Sequence, residues 1–189
     1  MPWTPAWPAG HNAHVAIVGI EIRAFRPSDQ DAVRTLVLDG LREHWGEIDP
    51  RLNPDLDDIA ASYPDNGTIV AVDASRIVGT GTLRRVGATS AEIVRISVAP
   101  HYRRTGVGRR LVEGLVALAH AWGRERVILE TTSDWHGVVA FYRRCGFALT
   151  HEADGEFSKD SWFELQLAGP PSAPERLTAD SLDRNVLGA

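Results

Sequence analysis

The sequence predicts an α/β (α+β) domain on one mixed, mostly antiparallel sheet of about six or seven strands, flanked by about four helices. Three observations carry this. Short β-rich runs and amphipathic helical stretches follow one another in the order β-α-α-β-β-β-α-β-α-β-β. The runs at 67–72 and 76–84 are joined by Asp73-Ala74-Ser75, the chemistry of a hairpin turn, so part of the sheet is antiparallel. A strand at 91–98, a long helix at about 106–122 and a strand at 126–131 make a crossover unit whose two strands lie parallel. A length of 189 residues suits one such domain and is short for two.

Residues 1–19, rich in proline and glycine, read as a flexible leader; the domain spans 20–167 and a mobile tail 168–189. Glu21 to Arg26 alternates polar and apolar residues, the period of a half-buried strand. Pro27-Ser28-Asp29 opens a helix, with Ser28 or Asp29 as cap and Val33, Leu36, Val37 and Leu41 as its apolar stripe, which breaks around His44-Trp45-Gly46. Asn53-Pro54-Asp55 opens a second short helix through about Ser62. After the hairpin and the next strand, Val107, Leu111, Leu115, Leu118, Ala119 and Trp122 share one face of the long helix, and Gly123 ends it. A short helix at 136–144 closes at Gly146, and 147–150 and 161–167 form a last strand pair around Asp154-Gly155.

Composition narrows the function. A net charge of −5 lacks the basic surplus of a nucleic-acid-binding protein. The single cysteine, Cys145, cannot form an internal disulfide, and the first residues lack both a basic start and an apolar core, so the expected compartment is the cytoplasm. No stretch reaches the roughly 20 apolar residues of a membrane span. No His/Cys cluster has metal-ligand spacing, so no metal is expected.

Chemistry is concentrated at 91–111, where a β-branched strand stops at Pro100, passes a basic loop and enters the long helix at two glycines. Unpaired N–H groups and the helix dipole then point at one spot, an anion site, with the Arg103 and Arg104 guanidinium groups beside it. A P-loop needs Lys-Ser/Thr after the last glycine, and Arg109-Arg110 stand there; a dinucleotide fingerprint needs a small residue where Leu111 stands. What remains is Arg-x-x-Gly-x-Gly at 103–108 after a strand reading Glu92-x-x-Arg95-x-x-Val98.

That pattern resembles the acyl-CoA-binding motif of the GNAT superfamily of N-acetyltransferases. Tyr142-Arg143-Arg144-Cys145-Gly146-Phe147 is similar to the family's Tyr-x-x-x-Gly-Phe segment, and the element order is the family's own over about 20–167. The resemblance implies a GNAT fold in which two parallel strands splay apart and admit the pantetheine arm of acetyl-CoA. It implies that the backbone of Ile96, Ser97 and Val98 meets that arm, and that Arg103, Arg104, Thr105, Gly106, Val107 and Gly108 take the pyrophosphate. Tyr142 matches a tyrosine that gives a proton to the CoA sulfur in many members; packing in the strand gap is the other reading. Glu92 matches a glutamate that some members use as general base, and equally a structural acid paired with Arg95 or a neighbouring strand. Where many members carry an asparagine seven positions before that tyrosine, this chain has Trp135, so that contact is replaced or lost. Acceptor candidates are His44, Trp45, Glu47 and Trp162, with Glu43, Asp49, Asp57 and Phe163 nearby; an acidic and aromatic set suits a cationic or aromatic amine.

The implied reaction is transfer of an acetyl group from acetyl-CoA, as co-substrate, to a primary amine of a small molecule or of a protein or peptide by direct attack in a ternary complex. A different acyl group, or a non-catalytic acyl-CoA-binding regulatory domain, stays open as an alternative. No nucleic-acid or membrane partner is expected. Dimers are frequent in the superfamily, and the Trp-rich leader and proline-rich tail are the candidate contacts for a homodimer.

Overall fold

The computed structural model of the chain describes residues 19–155 and 158–167. The leader through residue 18 and the tail from 168 lie outside the described residues. In chain order the elements are β1 (Ile20–Ala24), α1 (Gln30–Trp45), α2 (Ile59–Ser62), β2 (Thr68–Asp73), β3 (Arg76–Val86), β4 (Ser90–Val98), α3 (Val107–Ala121), β5 (Arg126–Thr132), α4 (His136–Arg144), β6 (Ala148–Asp154) and β7 (Lys159–Gln166). The strands form one sheet in the order β1-β2-β3-β4-β5-β7-β6, in which β4 and β5 are parallel and the other described pairs antiparallel.

Two apolar clusters hold the layers together. Val107, Leu111, Val112, Leu115 and Ala119 of α3 are buried against Ile69, Ala71, Leu83, Ile93, Val127, Leu129 and Phe163 of the sheet. On the opposite face, Val33, Val37 and Leu38 of α1 join Leu56 and Ile59 over Val70 and Val72. The second layer covers β2 to β4 and stops there. Helix α3 lies close on β3 because Gly79 and Gly81 leave room; a Cβ at Gly79 would stand 3.0 Å from Leu111, and one at Gly81 3.0 Å from Leu115.

The expected helix from Asn53 to Ser62 is instead an isolated 3-10 turn, Pro54–Leu56, followed by the single turn of α2, and a further 3-10 turn, Pro50–Leu52, precedes it. Each proline starts a turn, but it also removes an N–H and disfavours helical geometry in the residue before it, so the turns do not merge. The start of α1 differs as well. Asp29 accepts from the Arg26 N–H at 2.8 Å and pairs with Arg23 at 2.6 Å, so its carboxylate looks backward and caps the 3-10 turn Pro27–Asp29 rather than α1.

The feature that positions the site is a bulge in β4. Its pairing with β3 moves from Thr82↔Val94 to Thr80↔Ser97, so Arg95 and Ile96 together stand opposite Gly81, and Arg95 takes φ +55°. A left-handed arginine needs compensation. It has a bidentate ion pair to Asp55 at 2.6 and 2.9 Å and a bond to Asn53 at 2.9 Å, while Asp55 also accepts from the Tyr63 hydroxyl. The irregular stretch before α2 is therefore the clamp on the bulge. Pairing of β4 with β5 runs from Ser90↔Arg126 to Ile93↔Leu129 and ends, although β4 continues against β3 to Val98 and β5 against β7 to Thr132. The two parallel strands splay from that point on.

Candidate functional site

After β4 the chain makes a 3-10 turn, Pro100–Tyr102, pinned by the Tyr102 hydroxyl donating to Asp73 at 2.6 Å. The Thr105 hydroxyl donates to the Tyr102 carbonyl at 2.6 Å, Arg104 takes φ +62°, and Gly106 takes φ +100° as the residue before α3. No side chain caps this helix, so its first N–H groups face outward. A left-handed conformation explains Gly106. Packing does not require Gly108: a Cβ there would meet Phe141 at 3.5 Å and Val98 at 3.7 Å, ordinary contact.

The arginines here have different attachments. Arg104 is exposed and has no ion pair among the described residues. Arg103 donates through Nε to the Val98 carbonyl at 2.9 Å and pairs with Glu43 near the end of α1. Arg109 pairs with Glu113 at 2.8 Å, and Arg110 donates to the Ile20 carbonyl at 2.9 Å. Of the three β4 residues expected along the gap, Ile96 turns its side chain to Gly81 of β3, while Ser97 donates to the Leu36 carbonyl of α1 at 3.0 Å. Val98 sits beside Gly108 and holds Arg103. The Ile96 and Ser97 side chains are thus engaged, whereas at Val98 it is the backbone carbonyl that Arg103 occupies.

Tyr142 is buried to 6% exposure among Phe141, Phe147 and Phe163. Burial raises its phenol well above the ordinary tyrosine value, with the Cys145 thiol adding to the effect. It keeps its proton at neutral pH, so it can donate. No described residue hydrogen-bonds its hydroxyl. Cys145, the small residue beside it, packs against the core, and burial pushes its thiol to about 11.

Glu92 is 7% exposed, on the part of β4 still paired with β5. Arg84, directly opposite on β3, reaches its Oε2 with Nε at 2.7 Å and Nη2 at 2.6 Å. Arg95 is committed to Asp55 and Asn53, so of the two structural pairings open in the sequence, the neighbouring strand supplies the partner.

Of the acceptor candidates, the structure brings His44 and Trp45 to one place through Trp135. The His44 ring stacks on Trp135 at 3.8 Å between centroids, with Trp45 tilted against it at 5.8 Å. With Glu43 on Arg103 and His44 on Trp135, the last turn of α1 bridges the loops that follow both splayed strands. Trp162 lies apart on β7, stacked on His151 of β6, and Glu47 is exposed in the turn after α1. Sequence reasoning did not find the contacts of two residues beside the candidate site. Arg84 was hidden because its pairing depends on register, and Trp135 because its partner lies on another helix. Among the described residues no group of His, Cys, Asp and Glu could hold a metal ion, and no helix is long and apolar enough to cross a membrane.

A profile described as acetyltransferase (GNAT) family matches residues 31–147, more than half of the chain. An uncharacterised protein of Mycobacterium leprae is 37% identical over 93 residues, 48% of this chain; the chain spans only 24% of that protein's length. An IAA acetyltransferase of Azospirillum brasilense is 32% identical over 121 residues, which cover 63% of this chain and 78% of that protein. Among solved structures, a GNAT-family acetyltransferase of Staphylococcus aureus superposes with a TM-score of 0.71 at 21% identity, over 79% of this chain and all of the other (100%). A protein of Salmonella typhimurium, solved with acetyl-CoA, has a TM-score of 0.63 at 16% identity, over 82% of this chain and 99% of the other.

Proposed function

The chain belongs to the acetyltransferase (GNAT) family, and on that premise we propose that it transfers an acetyl group from acetyl-CoA to a primary amine of a small molecule or peptide. The observation that carries this is the pairing of an uncapped helix start, with a glycine that the fold does not need, and an unpaired strand gap beside it. The pyrophosphate lies against the N–H groups of Gly106 to Arg109, with Arg104 free to neutralise it. Arg103 joins it by exchanging Glu43 for phosphate. The pantetheine arm follows the open backbone edge of β4 from Ile96 to Val98. The ternary geometry brings amine and thioester together, so proximity supplies part of the rate.

The ammonium gives one proton to solvent, the neutral amine attacks the thioester carbonyl, the C–N bond forms as the C–S bond breaks, and the nitrogen sheds a second proton that replaces the one Tyr142 gives up. The CoA thiolate then takes the Tyr142 proton. A phenol that holds its proton this firmly in the ground state donates only to a strong base, which a departing thiolate beside it is. The aromatic group at His44, Trp45 and Trp135, with the carboxylates of the open sheet face, favours a cationic or aromatic amine.

The test is release of free thiol from acetyl-CoA across polyamines, arylalkylamines, amino acids and peptides, with calorimetric titration of acetyl-CoA alongside. Turnover with one acceptor class supports the reading. Tight acetyl-CoA binding without turnover anywhere points to the non-catalytic acyl-CoA-binding alternative. Absence of acetyl-CoA binding sinks both. Tyr142→Phe lowers kcat by about 10²-fold or more and leaves acetyl-CoA affinity in place; equal loss of both removes Tyr142 from the proton path.

A further inference from the structure

We infer that Glu43 is a built-in counter-anion of the cofactor loop, holding Arg103 in the free protein so that acetyl-CoA binds against an internal competitor. This rests on the acetyltransferase reading above, in which Arg103 serves the pyrophosphate.

Placement is the first argument. Glu43 is exposed, yet the half of α1 that carries it is fixed on both sides of the gap. Ser97 of β4 donates to the Leu36 carbonyl at 3.0 Å. One turn on, Gly40 lies so close to β4 that a Cβ would stand 2.9 Å from the Ser97 Oγ. Glycine weakens a helix interior, and here its missing side chain is what lets α1 approach the end of β4. Another turn on, Glu43 meets Arg103 in the loop after β4, and His44 stacks on Trp135 in the loop after β5. Arg103 is fixed from its own side. Its Nε donates to the Val98 carbonyl at 2.9 Å, and its Nη2 is left to donate to Glu43. Both groups are ordered before they meet, so the pair loses less side-chain freedom than an ordinary surface pair.

Selectivity is the second argument. At the cofactor loop the carboxylate singles out one arginine. Arg104, the next residue, has no ion pair among the described residues, and Arg109 pairs with Glu113 of its own helix. Arg103 is held by a carboxylate from a different layer of the fold. Arg42, the cation beside Glu43 in α1, is paired with Asp39 and does not compete for it.

Chemistry is the third. A carboxylate and a phosphate use the same guanidinium fork, so Arg103 cannot give both its Nη2 bond. A ligand whose partner is occupied part of the time binds more weakly by that fraction. An exposed pair is weak, so Glu43 attenuates acetyl-CoA affinity without blocking the site. The same competition loosens the product CoA, which carries the same pyrophosphate.

The experiment is calorimetric titration of acetyl-CoA, and separately of CoA, into the full chain and its Glu43→Gln, Arg103→Gln and doubly substituted forms. Glutamine keeps the size and helix preference of Glu43, and thermal unfolding checks that each variant folds. Glu43→Gln is expected to tighten both ligands about three- to fivefold. In the Arg103→Gln background the same substitution is expected to change nothing, since nothing is left to compete for. Arg103→Gln by itself weakens both ligands. Unchanged or weaker binding in Glu43→Gln overturns the proposal, and so does a gain for acetyl-CoA that CoA does not share. A gain that persists without Arg103 also overturns it, because that is general charge repulsion. Full affinity in Arg103→Gln takes this arginine off the pyrophosphate and overturns it too. A wild-type chain that binds no acetyl-CoA defeats the acetyltransferase reading and this proposal with it; a wild type that binds, with Glu43→Gln unchanged, defeats this proposal alone.

Discussion

The two strands that border the gap use similar residues to opposite ends. On β4 the polar side chains are matched: Glu92 with Arg84, Arg95 with Asp55 and Asn53, Ser97 with the Leu36 carbonyl. Each contact holds the bulge or ties the strand to α1. On β5, Glu130 stands next to Asp160 and Glu92 instead of a cation of its own, and Trp135 beyond the strand carries the stack with His44. The same contrast runs through the whole sheet. The half from β2 to β4 has helices on both faces, while β5 and β7 bury Val127, Leu129 and Phe163 on the core side and present Glu130, Trp162 and Glu164 on the other, and the edge strand β6 is exposed throughout. Satisfied groups give shape. Groups left among like charges or on an uncovered face are the ones available for chemistry.

The contrast between faces is broken most severely on β5 itself. Leu129→Ala removes a fully buried side chain from the α3 cluster and is expected to cost about 2–5 kcal/mol in urea unfolding. Ile128→Ala, one residue earlier on the uncovered face, costs about 1 kcal/mol. Equal losses would mean that the second face is covered after all. Arg84→Met comes next: it strands the buried Glu92 carboxylate and costs about 1–3 kcal/mol, and adding Glu92→Gln recovers part of it. If the double substitution adds the two losses, the pair does not hold β3 to β4. Gly108→Ala separates cofactor side from scaffold. Unfolding midpoints stay within about 1 kcal/mol, because the methyl fits, whereas acetyl-CoA affinity falls about tenfold or more in calorimetry. Unchanged affinity would remove that backbone from the phosphate site.

The smallest effect is the pH dependence of two ion pairs, Asp29 with Arg23 and Asp55 with Arg95. At Asp29 the Arg23 hydrogen bond outweighs burial and holds the carboxyl below its ordinary range. At Asp55 burial pushes upward, but the bonds from Arg95 and Tyr63 prevail, and its pKa is lowered too. Both carboxylates bind protons less tightly folded than unfolded, so their stabilisation is complete above the unfolded value of ~3.9 and is lost as pH falls through the lower folded values. Urea midpoints should fall as pH drops from about 5 toward 3, and Asp55→Asn should flatten part of that slope. A slope identical in the variant would remove Asp55 as a contributor.

Periodicity and turn chemistry made most elements legible. The hairpin, the crossover unit and α3 with Leu111 and Leu115 stand where the sequence places them. Local rules failed where a partner far along the chain decided the outcome. The sequence offers Ser28 or Asp29 as the α1 cap, and Arg23 turns Asp29 back; the helix expected from Asn53 breaks into separate turns whose side chains serve Arg95. In the candidate site the loop from Arg103 to Gly108 was legible because a helix start is a local object. Arg84 on Glu92 and Trp135 on His44 were not, because each pair spans elements that only register and packing bring together.

The sequence by itself determined the family, the parallel crossover, the glycine-bearing helix start and the place of Tyr142, since each follows from residues close in the chain. Only the tertiary structure decided where β4 parts from β5 and which of two glutamates on one face is compensated. A splay depends on a bulge clamped by residues some forty positions away, and a carboxylate's proton affinity depends on the charges that neighbouring strands carry to it.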